Sequence, residues 1–202
     1  MRARTLLAGT SILSALLFPG LASAISIGFS PSSQAVDVGD TVSVELTITG
    51  LGNLAPASLG VFDLDVLFDP TVLAPSGVVF GDPVLGDQLD LFALGSLTAS
   101  DDSTPGILNL FELSLDSASD LDSLQAGSFT LATLDFTAVS LGSSALDATI
   151  HALGDAFGDR LVADVTPGSI SPIPEPSGLV TFLTGLIVVV GAMRRSASSH
   201  GA

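Results

Sequence analysis

Apolar and polar residues alternate along much of the chain, and a period of two predicts β-strands with one buried face. Residues 41–49 are the clearest case, because every second residue is Val, Leu or Ile and the others are Thr, Ser or Glu. Residues 61–68 repeat the alternation, with Leu64 and Val66 facing inward and the intervening aspartates facing outward. We therefore expect Leu64 and Val66 in a hydrophobic core between two sheets.

Four further stretches predict strands, although their patterns are less regular. They lie at residues 107–115, 129–139, 146–150 and 161–165. The first of them places Phe111, Leu113 and Leu115 on one face. Helical periodicity is weak throughout the body of the chain, and only residues 117–125 suit one or two helical turns. Short strands separated by Gly, Pro, Asp and Ser predict an all-β fold, either a β-sandwich or a jelly roll.

The stretch at 129–139 changes phase along its length. Two apolar residues before Ala132 fall in one register, whereas Leu134 and Phe136 fall in the other. An extra residue in one strand of a pair produces such a change, so we predict a β-bulge near Ala132-Thr133. Leu134 and Phe136 are expected to join Leu64 in the core.

The amino terminus has the three parts of a secretory signal peptide. Two arginines within the first four residues precede an apolar core at 6–18 and the small-residue motif Ala22-Ser23-Ala24. Cleavage after Ala24 makes residues 1–24 a signal peptide. We therefore expect the rest of the chain to be exported.

A second targeting signal is predicted at the carboxyl end. In chain order it consists of a proline-rich linker at 167–176, the tripeptide Pro174-Glu175-Pro176, an apolar run at 177–193, the pair Arg194-Arg195 and a polar tail at 196–202. The apolar run is long enough to cross a bilayer as one helix, and the arginines favour a cytoplasmic end. We expect residues 177–195 to form a transmembrane segment followed by a short cytoplasmic tail; the alternative is a buried C-terminal helix.

The order of these parts resembles the PEP-CTERM sorting signal of Gram-negative bacteria that make exopolysaccharide. The residues that carry the resemblance are Pro174, Glu175, Pro176, Arg194 and Arg195. It implies recognition by a membrane-embedded exosortase and sorting from the cytoplasmic membrane to the cell surface or extracellular matrix. The resemblance predicts where the protein is located and does not indicate its molecular function.

Charge and composition narrow the function of the remaining domain, residues 25–166. The chain has 21 acidic and five basic residues, and Arg160 is the only basic residue between the targeting segments. Such a domain repels nucleic acid and anionic lipid. The chain contains no cysteine, so its stability depends on a buried core. It also lacks Trp and Tyr, whose rings usually line glycan sites, which weighs against tight sugar binding.

Three segments of the domain resemble cohesin domains. They are Val38-Gly39-Asp40-Thr41-Val42, Phe68-Asp69-Pro70-Thr71-Val72-Leu73 and Leu134-Asp135-Phe136. The resemblance implies a jelly roll of about nine strands, related to carbohydrate-binding modules, and a dockerin as the partner. Independently of the resemblance, Asp69 ahead of Pro70 is expected to cap the turn with its side chain.

The aspartate-rich segments are candidates for calcium, which prefers six to eight oxygen ligands. Asp116, Asp120 and Asp122 are the nearest in composition to a calcium loop, although they lack its spacing. The alternative is a solvated acidic surface without a cofactor. His151, on a polar strand face, is expected to be a surface histidine.

No arrangement typical of catalysis is evident in the sequence. Glu45 and Glu112 are the only glutamates in the domain, and no aromatic-lined cleft is indicated for glycoside hydrolysis. We therefore interpret the chain as a non-enzymatic protein acting in adhesion or matrix association through a cohesin-like domain. The alternative is a carbohydrate-binding module that serves polysaccharide breakdown.

Overall fold

The structure, a computed structural model, describes residues 24–174. These residues form two β-sheets packed face to face, with one short helix between β7 and β8. The elements are β1 Ile25–Ser30, β2 Ser33–Asp37, β3 Thr41–Thr49, β4 Leu59–Leu67, β5 Leu73–Phe80, β6 Leu97–Asp101, β7 Ile107–Leu113, α1 Ala118–Leu124, β8 Ser128–Ala138, β9 Ser144–Asp155, β10 Ala163–Thr166 and β11 Gly168–Ile173. The predicted all-β sandwich is confirmed.

The strand order is β10-β1-β3-β8-β5 in one sheet and β2-β11-β9-β4-β7-β6 in the other. Neighbouring strands are antiparallel except for β1 with β10 and β2 with β11. Both parallel pairs arise where the chain changes sheets, through Pro31 after β1 and through Pro167 after β10. The first two strands, β1 and β2, therefore pair with the last two, β10 and β11, one pair in each sheet.

The core lies between the sheets and contains the residues that were predicted to be buried from the alternation of apolar and polar positions. Leu64, Val66, Leu134 and Phe136 have no solvent exposure. In the β3–β8 pair, the register passes over Leu131, so the predicted bulge is present one residue before Ala132.

Two local predictions are also confirmed. Asp69 Oδ1 accepts hydrogen bonds from the amide and the hydroxyl of Thr71, at 2.8 and 2.7 Å, and so caps the turn after β4. The helical turns predicted at 117–125 form α1, where the Ser117 hydroxyl caps the first turn by accepting from the Asp120 amide.

The buried amide of Gln125 fastens the end of α1 to the sandwich. Its Nε2 donates to the carbonyls of Leu59 and Gln88, both at 2.9 Å. Its Oε1 accepts from the Leu59 amide at 2.6 Å. Gln125 is fully buried, and this structural role was not predicted from the sequence.

Phe111 and Leu113 share one face of β7, as predicted, but this face points outward, and Leu115 lies beyond the end of the strand. Leu108, Leu110 and Glu112 are buried in β7, whereas Phe111 lies on the opposite, outward side and Leu115 is 63% exposed. Every residue from Ile107 to Leu113 except Asn109 and Glu112 is apolar, so both faces of the strand look buried in the sequence.

The strand count and the linker boundary also differ from the expectation. Residues 24–174 contain eleven strands rather than about nine. Residues 168–173, assigned to a proline-rich linker, form β11 and pair with β2 and β9. Pro172 lies two residues beyond Ile170, the last residue of β11 that pairs with β9, so its missing N–H costs no ladder hydrogen bond on that side.

The targeting segments are mostly outside the described range. The predicted signal peptide, apart from Ala24, and the sorting tail after Pro174 lie outside residues 24–174. Ala24 and Pro174 are both exposed at the ends of that range. Among residues 24–174, no helix is both long enough and apolar enough to cross a bilayer.

Candidate functional site

The outer face of the six-stranded sheet carries an apolar stripe, which we define as Val61, Leu97, Phe111 and Leu113. The strand register places Leu97 beside Leu113 and Leu113 beside Val61, in one row across β6, β7 and β4. Phe111 lies in the next row. Alternate residues of β4 and β7 are buried in the core, so the stripe faces outward.

Beside the stripe is a polar group, the carboxylate cluster, which we define as Asp63, Asp65, Asn109 and His151. The Asn109 side-chain amide donates to Asp63 Oδ1 at 3.0 Å and to Asp65 Oδ1 at 2.9 Å. His151 Nε2 lies 2.8 Å from the other oxygen of Asp65. One amide and one imidazole therefore hold two aspartates of β4 in fixed positions.

The pKa values of Asp65 and His151 shift in opposite directions. The hydrogen bond from His151, followed by that from Asn109, lowers the pKa of Asp65 below its ordinary value. The same contact with Asp65 raises the pKa of His151 above its ordinary value. Each group therefore favours the charged form of the other, as in an ion pair.

A β-bulge places His151 in the cluster. Asp63 is opposite Ala152, whereas Leu64 is opposite Ile150, so His151 is an extra residue in β9. Bulges re-aim side chains in this way. A surface histidine is the prediction for this position, and the His151 side chain is 48% exposed. The pairing with Asp65, 86 residues away, was not predicted, because only the register brings these strands together.

A shallow depression of about 240 Å³ extends this face toward the end of the sheet. Val61, His151, Gly154 and Arg160 are among the residues that line it. Arg160, the sole Lys or Arg of residues 24–174, thus lies near the carboxylate cluster. Apolar, anionic and cationic groups are presented together on a sheet face that is open to solvent. Such a surface suits recognition of a macromolecule.

The proposed calcium ligands do not meet at one point. Asp116 accepts a hydrogen bond from the Leu91 amide, and Asp122 accepts one from the Ser58 hydroxyl, both at 2.7 Å. Asp120 accepts from the Ser117 hydroxyl at the start of α1. Within the described residues, no three His, Asp or Glu side chains are arranged to hold a metal ion. Each of the three aspartates contacts a different partner.

The two sheets and their connections define a β-sandwich of the cohesin type. No protein-family profile matches the chain, and no curated protein matches its sequence. Solved structures show the fold, and the similarity to them is in fold alone.

Three cohesin structures illustrate the likeness. The sixth cohesin of scaffoldin B from Acetivibrio cellulolyticus, solved in complex with a Cel5 dockerin, is 16% identical with a TM-score of 0.58, covering 75% of this chain and 100% of that one. A non-cellulosomal cohesin from Archaeoglobus fulgidus is 18% identical with a TM-score of 0.55, covering 79% and 98%. A cohesin from Clostridium acetobutylicum is 21% identical with a TM-score of 0.56, covering 75% and 92%. The cohesin-like fold predicted from the sequence is confirmed.

Proposed function

We propose that this chain is a non-enzymatic binding protein whose cohesin-like domain captures a protein partner on the outer face of the six-stranded sheet. The observation that carries the proposal is the apolar stripe lying directly beside the carboxylate cluster. Apolar side chains at the centre of an interface supply binding energy, and fixed charges around them supply specificity. A dockerin-type protein is the partner class we favour, because a cohesin of the same fold was solved bound to a dockerin.

The charge of the domain restricts the partner further. Residues 24–174 contain 20 acidic residues and one arginine, a net charge of −19 with histidine neutral. A partner surface that carries Lys or Arg beside apolar residues would complement this face and associate faster at low salt. Anionic polysaccharides would be repelled.

The open position of the His151–Asp65 pair supports recognition over catalysis. Catalytic groups usually lie in concave, partly dry sites, whereas this pair lies on a sheet face with the imidazole half-exposed. The remaining polar groups of the cluster bond to one another.

The site of action in this proposal is the cell surface or extracellular matrix. It rests on the predicted signal peptide, with its motif at Ala22 and Ala24, and on the sorting tail from Pro174 to Arg195. An exosortase would process the membrane-anchored precursor, and the released domain would act in adhesion or matrix association.

The test compares substitutions on the two sheets. The full chain, immobilised, is presented with dockerin-type proteins, with soluble polysaccharides and with the secreted proteins of the same cell. We expect saturable binding of a protein, weakened about 30-fold or more by Phe111→Asp, since loss of a central aromatic anchor costs about 2 kcal/mol or more.

Val79→Asp is the matched control, because Val79 lies in β5 of the other sheet and is 45% exposed. It should leave binding intact. Equal weakening by both variants, or binding confined to a polysaccharide, would contradict the proposed face and favour the carbohydrate-binding alternative.

A further inference from the structure

Glu112 is the only acidic residue in the described part of the chain that is buried in the core. It lies on the inner side of β7 and has no solvent exposure. Its register partners are Phe62 on β4 and Thr98 on β6, neither of which can titrate. An isolated carboxylate in such a place is costly, so its surroundings determine which form it takes.

The contacts of Glu112 identify the protonated form. Oε1 accepts a hydrogen bond from the Ser96 hydroxyl at 2.6 Å, whereas Oε2 is shielded from solvent and receives no hydrogen bond. The Asp87 carboxylate lies within hydrogen-bonding reach, and Asp90 is the next acidic group nearby. A proton on Glu112, donated to Asp87, satisfies the orphan oxygen and removes the repulsion between two adjacent carboxylates. Burial, followed by the contact with Asp87, accordingly raises the pKa of Glu112 to about 8.

Ser96, Asp87 and Asp90, the polar groups around the Glu112 carboxyl, belong to one loop, residues 81–96 between β5 and β6. The same loop presents Val84, Leu85 and Leu94 to solvent, each more than 80% exposed. It is tied to the sandwich at several further points. The Leu91 amide donates to Asp116, the Gln125 side chain donates to the Gln88 carbonyl, the Ala126 amide donates to the Gln88 side chain, and Leu89 is buried in the core. The residue that follows the loop is Leu97, the first residue of β6 and part of the apolar stripe.

We propose that Glu112 is a proton-dependent latch for this loop. Protonated, Glu112 donates a hydrogen bond to Asp87 and holds residues 81–96 against the sandwich. Loss of that proton in alkaline solution leaves two neighbouring carboxylates, and the loop lifts so that water can hydrate them. Asp87 and Asp90 are the charged groups that face Glu112, and both of them favour the protonated form. The latch does not depend on which partner binds the sheet face.

The sign of the pH effect follows from linkage. The folded state keeps a proton on Glu112 that an unfolded glutamate, with an ordinary pKa of 4.5, has already lost. Stability therefore falls as the pH rises from 4.5 toward 8 and levels off above the folded-state pKa.

Carboxyl titration of the full chain tests the protonation. The chain contains three glutamates, Glu45, Glu112 and Glu175, so the ¹³C-labelled glutamate carboxyl signals are few. We expect one signal to titrate near pH 8 and to be missing in Glu112→Gln. A Glu112 signal that titrates below about pH 5 would overturn the proposal.

Hydrogen exchange tests the release of the loop. After correction for the intrinsic exchange rate, amides of residues 81–96 should lose about tenfold or more of their protection between about pH 7 and pH 9.5. Glu112→Gln, whose amide donates to Asp87 at every pH, should keep its protection, and Glu45→Gln should behave as the parent. Equal losses in the parent and in Glu112→Gln would contradict the latch. A second result would also overturn the latch: stabilisation by calcium in the parent but not in Glu112→Gln. It would show that Glu112 binds a metal ion instead of a proton.

Discussion

His151 Nε2 lies 2.8 Å from Asp65 Oδ2, so an imidazole of β9 and a carboxylate of β4 are hydrogen-bonded across adjacent strands and form an ion pair when the imidazole is protonated. The pair joins the strands that carry the carboxylate cluster. Its strength depends on pH, because each partner shifts the pKa of the other.

Replacing His151 with Gln should remove a pH-dependent part of the stability. The pKa of His151 is raised above 6.5, so its contribution is full below pH 6.5 and is lost as the pH rises through the folded-state value. The pKa of Asp65 is lowered below 3.8, so its contribution is lost only in strong acid. Urea unfolding near pH 5.5 and pH 9 should show a larger difference from the parent at the lower pH. A difference that does not change with pH would contradict this.

Adjacent residues of β7 should respond very differently to truncation. Leu110 is fully buried, so Leu110→Ala should lower the free energy of unfolding by about 2–5 kcal/mol. Phe111 lies on the outer face, and Phe111→Ala should cost only about 1 kcal/mol or less. Denaturant melts of both variants measure the difference. A greater loss at Phe111 would contradict the strand phase seen in the structure.

Asn109 should contribute to the stability of the fold because its side-chain amide donates to two like-charged carboxylates. Asn109→Ala removes the shared donor of Asp63 and Asp65 and should cost about 1 kcal/mol. Asn109→Asp adds a third carboxylate and should cost more at low ionic strength. Part of that additional loss should return at about 0.5 M NaCl, where charges are screened within a few ångströms. Identical salt dependence of the two variants would show that the carboxylates do not interact.

Substitution of Gln125 should lower the stability of the domain more than substitution of most other polar residues. Gln125→Leu leaves the amide and carbonyl of Leu59 without their side-chain partner, and a buried unpaired group costs about 1–3 kcal/mol. We expect a total loss of about 3 kcal/mol in urea melts. Ser123→Ala, at an exposed position of the same helix, should stay within about 0.5 kcal/mol of the parent. Comparable losses in the two variants would indicate a general effect on α1.

The sorting proposal can be tested by replacing Pro174, Glu175 and Pro176 with alanine. Fractionation and mass measurement should then find the exported chain in the cytoplasmic membrane with its tail intact. The parent should be shortened and reach the cell surface. A variant processed and sorted like the parent would show that the tripeptide is not the signal.

The sequence by itself determined the local features of this protein. The alternation at 41–49 and 61–68 placed Leu64 and Val66 in the core, because a strand between core and solvent needs one apolar and one polar face. The helical turns at 117–125 were also predicted, and they form α1. Short-range chemistry decided each of these features.

Only the tertiary structure decided which face of β7 is buried and which side chains meet on the outer face of the six-stranded sheet. Apolar residues occupy both faces of β7, so its own sequence does not specify which face is buried. Pairing with β4, whose alternation is unambiguous, determines the buried face. Pairing of β4 with β9 then brought His151 to Asp65, and packing of loop 81–96 over the core buried Glu112 beside Asp87. These contacts depend on strand register and loop packing between residues far apart in the chain, which no local pattern specifies.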